Sequence, residues 1–254
     1  MITSSHNEKL KEIRKLHRRE SRARAGRFVA EGEDLLAAAD EAGWPAVERY
    51  VAAGSGLDGV QVEPDVLAGA STLGSGTRAI GVYEVRWGEP AGPVCVYLHG
   101  VRDPGNVGAV LRSALAFGAG SVVLGPDCAD PYGPKAVRAS MGAIFAVPVA
   151  RGEVADLPGE RVALVAREGE ALRGPVEGDV ALVVGAEREG LPAEVRAECD
   201  RVAHIPIASE SLNAAMAATV ALYELTRDGV TRGRRPKDAI RTRGRMPRGG
   251  HTIG

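Results

Sequence analysis

The chain has 254 residues, 44% of them hydrophobic and 26% charged, with a formal net charge of -1. That is enough apolar material for one large core or two modest ones; no run reaches the ~18 apolar residues of a membrane span, and charges throughout the first 35 residues leave no signal-peptide core, so a cytoplasmic protein is expected. Cys95, Cys128 and Cys199 stand outside any CxxC pair and the histidines have no metal-site spacing, so neither a disulfide framework nor a metal is expected.

The charge is segregated. Residues 9–27 carry nine Lys/Arg against two acidic residues, and 232–248 carry eight against one; subtracting these from the totals of 32 and 33 leaves 15 basic and 30 acidic residues elsewhere. Two positive arms on an acidic body attract phosphate backbones through counterion release, while each arm alone is equally a solvated surface. The first arm reads as a helix over 8–20, with Leu10, Ile13 and Leu16 on one side and basic residues on the others. A strand over 28–30, a helix between Gly32 and Gly43, strands over 47–53 and 60–62, a short helix from Pro64 and a strand over 79–85 follow, making a small α/β domain over 1–86.

The Gly/Pro-rich stretch 87–93 reads as a linker. Beyond it, apolar strands over 94–98, 121–124, 162–166, 180–184 and 202–205 alternate with helices over 107–117, 135–141, 192–199 and 212–227. This order predicts an α/β domain over 94–228 with a mostly parallel sheet covered on both faces, whose ligands bind beyond the carboxyl ends of the strands. The stretch 229–254, mostly Arg, Gly and Pro, has too few hydrophobes to offset the entropy of ordering and is expected to be disordered.

Three loops leave such strand ends. In the first, Gly105, Asn106 and Gly108 precede Arg112, with the glycines free to turn the backbone toward a ligand and Asn106 a possible helix cap. Asp127 beyond the next strand invites a dinucleotide-binding reading, but Arg102-Asp103-Pro104 stands where the first glycine of that fingerprint belongs. The second loop, Gly185-x-Glu187-x-x-Gly190, sets a carboxylate between two permissive glycines. The third, Ile205-Pro206-Ile207 followed by Ser211-Leu212-Asn213, delivers a hydroxyl, an apolar group and an amide to a helix start where Ser211 is a candidate cap. Behind it Ala214, Ala215, Ala217 and Ala218 give a smooth face for close helix packing.

These loops, in this order and with Leu191 and Tyr223-Glu224, resemble the three motifs of the SPOUT-class, TrmH-type RNA ribose 2'-O-methyltransferases. The stretch from Lys135 to Ala143 also resembles that family, and Phe28-Val29-Ala30-Glu31-Gly32 resembles the substrate-binding domain of its ribosomal-RNA members. The resemblance implies a C-terminal trefoil knot, S-adenosylmethionine as cofactor, a homodimer, and RNA as substrate, with 23S ribosomal RNA favoured over transfer RNA. It implies a polar catalytic set of Asn106, Arg112, Glu187, Ser211 and Asn213, and cofactor contacts from Ala166, Gly185, Glu187, Gly190, Ile205, Pro206, Ile207, Ser211 and Leu212.

Arg112 matches the residue proposed as general base in the family. A guanidinium with pKa above ~12 hardly ever yields its proton, so gripping the target phosphate and polarising the hydroxyl is the preferred role. Arg14, Arg18 and Arg22 of the first arm are expected to dock RNA. An inactive RNA-binding assembly factor on the same scaffold is the alternative, and a nicotinamide-dependent dehydrogenase a more distant one.

Overall fold

The computed structural model describes residues 1–74 and 76–230, with side chains to Arg227. The first basic arm makes two helices where one was expected. α1 (Glu8–Leu16) is capped by Asn7, whose side chain accepts from the Lys9 amide, and buries Leu10, Ile13 and Leu16. Arg18 is extended, α2 (Arg19–Ala25) follows, and Gly26 ends it at φ 63°, a left-handed conformation that suits glycine.

The break between the helices turns Arg22 inward. Its guanidinium donates to the Leu16 carbonyl at 2.9 Å and to the Asp130 carboxylate at 2.6 and 3.0 Å, and the residue is only 5% exposed. The expectation that Arg22 docks RNA is therefore corrected: a phosphate cannot reach it. Arg18 is exposed, and half-buried Arg14 donates to the Ser5 carbonyl.

β1 (Arg27–Glu31), α3 (Glu33–Glu41), β2 (Glu48–Ala52), β3 (Val60–Val62), α4 (Pro64–Ala68) and β4 (Ala79–Glu84) complete the N-terminal unit. Its sheet runs β1-β4-β2-β3, antiparallel except between β2 and β3. Leu10, Ile13 and Leu16 of α1 join Val29, Tyr50 and Ile80 in one core beneath it.

The second unit consists of β5 (Val94–Leu98), α5 (Pro104–Ala116), β6 (Ser121–Leu124), α6 (Pro134–Ala139), α7 (Ala143–Ala146), β7 (Val149–Arg151), β8 (Glu160–Val165), β9 (Glu170–Ala171), β10 (Val180–Val184), α8 (Ala193–Ala197), β11 (Arg201–His204) and α9 (Ala214–Val230). Every pairing in its sheet, ordered β7-β6-β5-β10-β8-β11-β9, is parallel. β5 and β10 are buried at every position, as continuous apolar runs covered on both faces should be. The sequence reading omits α7, β7 and β9, of four, three and two residues, which are too short to carry a periodic signal.

Register then places the loops. Val184 pairs with both Leu98 and Leu164, and His204 pairs with Val165, so β5, β10, β8 and β11 end along one line. The loops following them leave the same edge of the sheet. α9 returns to pack on α5, where the Ser113 and Thr219 hydroxyls lie 2.6 Å apart, and buries Ala214, Ala215, Ala218 and Ala221. It extends to Val230, two residues into the stretch expected to be disordered; the rest of that stretch, with the second basic arm, lies outside the described residues.

The two units share an aromatic junction. Phe28, Trp44 and Tyr83 from the N-terminal side meet Tyr132 and Phe145 from the other, with centroid separations of 4.8 Å for Phe28–Tyr132 and 4.9 Å for Tyr83–Phe145. Arg22–Asp130 is the ion pair at its border. Among the described residues no helix is long and apolar enough to cross a membrane.

Candidate active site

Helix α5 begins earlier than expected because Asp103, followed by Pro104 at the first helical position, is its cap: the carboxylate accepts from the Gly105 and Asn106 amides. Asn106 is thereby relieved of the capping role, and its side chain is free to act outside the helix. The Asp-Pro pair is the sequence signal for this start. Gly105 and Gly108 are likewise inside α5, not in a ligand-facing turn. A Cβ at Gly108 would lie 2.4 Å from the Ala136 carbonyl oxygen and 2.6 Å from the Ala139 Cβ, so this glycine lets α5 and α6 touch.

Loop two is folded tightly on itself. A Cβ at Gly185 would stand 2.3 Å from the Gly190 carbonyl carbon, the Gly190 amide donates to the Ala186 carbonyl at 2.9 Å, and Gly190 adopts φ 66°. Glu187, at the tip of the turn, is exposed. In loop three Asn213, not Ser211, caps the helix: its side-chain oxygen accepts from Ala215 and Met216 at 2.9 and 3.3 Å. That leaves the Asn213 amide group as a donor.

These side chains meet. The Asn213 amide donates to the Asn106 side-chain oxygen at 3.1 Å, and the Asn106 amide donates to the Glu187 carboxylate. One residue from each of three loops, up to 107 positions apart in sequence, thus forms a single chain of hydrogen bonds. Arg112 lies two turns into α5, exposed and without an ion pair among the described residues, and Ser211 is exposed, its carbonyl accepting from the Ser209 hydroxyl at 3.4 Å. Neither joins the chain.

The walls suit a nucleoside-like cofactor. Ile205, Ile207 and Leu212 are half-buried, and the Ile207 and Leu212 amides donate to no backbone carbonyl among the described residues. Apolar side chains beside free amide donors can clasp an adenine ring and hydrogen-bond its edge. Ala166 is exposed directly after β8, on the same sheet edge. Asp127, the acid of the dinucleotide reading, is exposed at φ 55° and lies 3.5 Å from Arg102.

A model of the SpoU rRNA methylase family matches residues 93–223, which hold all three loops. The chain belongs to that family. A model of the MRM3-like substrate binding domain matches residues 7–81. The 23S rRNA (guanosine(2553)-2'-O)-methyltransferase RlmP of Bacillus subtilis is 29% identical over 88% of this chain and 98% of its own. Among solved structures, the AdoMet-bound rRNA methyltransferase from Sinorhizobium meliloti superposes with a TM-score of 0.80 at 30% identity, covering 89% of this chain and 97% of its own. The SpoU methyltransferase AviRb from Streptomyces viridochromogenes, in complex with AdoMet, gives 0.76 at 26% identity over 89% and 99%. The family resemblance read from the three loops holds, and with it the α/β class.

Within this SpoU domain Glu224 of the Tyr223-Glu224 motif has a structural task. Its carboxylate accepts from the Gly174 amide at 3.0 Å, and a Cβ at Gly174 would sit 2.1 Å from the Glu224 carbonyl oxygen. The segment around Gly174 therefore lies directly against α9.

Proposed function

We propose that the protein transfers a methyl group from S-adenosylmethionine to a ribose 2'-hydroxyl of ribosomal RNA, with 23S RNA the favoured substrate. The observation that carries this reading is the Asn213–Asn106–Glu187 chain, which ties three loops into one polar mouth at the edge of a parallel sheet. The printed names and bound AdoMet of the family relatives support the substrate class and the cofactor.

The cofactor, when bound, supplies an electrophilic methyl group on a sulfonium. Gly185, Glu187, Gly190, Ile205, Pro206, Ile207, Ser211, Leu212 and Ala166 would hold it, the apolar members excluding water and the loop amides donating. Glu187 keeps the Asn106 amide group fixed, so that Asn106 and Asn213 orient the nucleotide. Arg112, with no carboxylate partner among the described residues, is free to grip the target phosphate and polarise the hydroxyl; Ser211 borders the ribose. Alignment of this kind contributes ~7 to 11 kcal/mol toward lowering such a barrier.

Residues 1–86 are read as the RNA-binding part and 94–228 as the methyltransferase part, joined by 87–93, acting in the cytoplasm. The knotted threading belongs to the same reading, supported by β10 lying between β5 and β8 and by the close approach of Gly174 to α9. A homodimer does too: Met216, Val220 and Tyr223 are 62%, 42% and 55% exposed along one stripe of α9, an apolar face that a second copy would cover. The test is to map ribose methylation on 23S RNA incubated with the protein and S-adenosylmethionine. A single new 2'-O-methyl position is expected, and unmodified RNA would overturn the reading.

A further inference from the structure

The stretch from Lys135 to Ala143 stands out in sequence yet has no part in the site just described. Most of it is structural: Ala136 and Ala139 meet Gly108 of α5, and Val137 is buried in the core that joins the two units. The remaining surface of α6 carries Lys135 and Arg138, three residues apart and both exposed.

Lys135 reaches one way. Its ammonium is 3.0 Å from the Asp103 carboxylate, the cap of α5 that lies one turn before Asn106. Arg138 faces the other way, lining a narrow cleft with Thr72 and Leu73 of the N-terminal unit. Glu31 also lines the cleft, but its carboxylate is occupied in holding that opposite wall: it accepts from the Ser71 hydroxyl at 2.6 Å and from the Thr72 amide and hydroxyl at 3.0 Å. A continuous strip therefore runs from Asn106 through Asp103, Lys135 and Arg138 to the turn at 71–73.

The charges along this strip are not all spent. Lys135 is paired with Asp103, whereas Arg138 has no ion pair among the described residues. On a body with twice as many acidic as basic residues outside its arms, such a cation at a junction cleft marks where a polyanion can lie. A guanidinium fork matches the geometry of a phosphate.

We infer that Arg138 binds a backbone phosphate of the substrate RNA between the reacting ribose and the segment held by the N-terminal unit, with the turn at 71–73 as the facing wall. This rests on the proposed RNA-methylating role. It adds a specific contact to that role.

The test uses the full chain and an unmodified 23S RNA transcript, measuring RNA affinity across a salt series, KM, kcat, S-adenosylmethionine affinity and melting temperature. Arg138→Glu should weaken RNA binding about tenfold and raise KM equally, and Arg138→Ala should lower the salt slope by about one. Cofactor affinity, kcat and melting temperature should stay at wild-type values, and Arg138→Lys should recover most of the affinity. Unchanged RNA affinity and salt slope in both Arg138→Glu and Arg138→Ala would overturn the inference, as would a loss that tracks the melting temperature in both. If the wild type binds the transcript but transfers no methyl group, the enzymatic reading fails while the affinity comparison still judges Arg138.

Discussion

The junction between the two units and the mouth of the three loops use polar groups in opposite ways. At the junction an ion pair, Arg22–Asp130, lies beside five aromatic rings, and the Arg22 guanidinium is committed to the Leu16 carbonyl and the Asp130 carboxylate. At the mouth the hydrogen-bonded chain is exposed, and Arg112 is left without an ion pair among the described residues. The first arrangement holds two bodies in place. The second leaves donors available to something that arrives from solution.

Altering the junction should give the largest effect on stability. Arg22→Glu buries a second carboxylate against half-buried Asp130, and breaking a largely buried pair in this way costs about 3 to 5 kcal/mol. Urea denaturation should show that loss, and a change below about 1 kcal/mol would mean the pair is not part of the junction.

Acid probes the same side of the comparison. Burial alone would raise the Glu31 carboxyl, but the His17 ring 3.4 Å away and hydrogen bonds from Ser71 and Thr72 outweigh it and hold the group at about 2, below its ordinary 4.5. A depressed carboxyl stabilises above its unfolded value and loses that contribution as pH falls through the folded one, so roughly 3 kcal/mol should disappear between pH 4.5 and 2. Glu31→Gln should flatten the stability profile over that window. A profile as steep as the wild type's would remove Glu31 from the account.

At the mouth, Arg112→Lys should retain cofactor binding and stability yet lower turnover about a hundredfold, the scale of losing one directed donor. Substantial turnover at neutral pH would contradict the need for a planar fork. The smallest effect is expected at the outer face of the first arm. Arg18→Glu, at an exposed residue, should weaken RNA binding several-fold by roughly 1 kcal/mol, with cofactor affinity unchanged; equal RNA affinity would make that face merely solvated.

Legibility in the sequence follows the same division. β5, β6 and β10 are readable to the residue because buried parallel strands are uninterrupted apolar runs. The three loops are readable as chemistry, since glycines, an acid and amides at strand ends are local features. Partnerships across the chain are not. Nothing near Arg22 announces Asp130, 108 residues away, so a basic helix with one inward arginine looks uniformly solvated. The caps Asp103 and Asn213 each precede their helix by one position, but Asn106 and Ser211 nearby carry equally good capping side chains, so capping preference alone does not single out the true starts. Gly108 is similar: only the packed α6 reveals that its missing side chain serves helix contact.

In the proposed function three separated loops converge to hold a methyl donor beside a sugar oxygen. Calorimetric titration of S-adenosylmethionine into the purified protein tests it most directly. Saturable binding near one cofactor per chain, weakened when Gly185→Ala forces a side chain into the Gly190 backbone, is the predicted result. No detectable heat or uptake by the wild-type protein would contradict it.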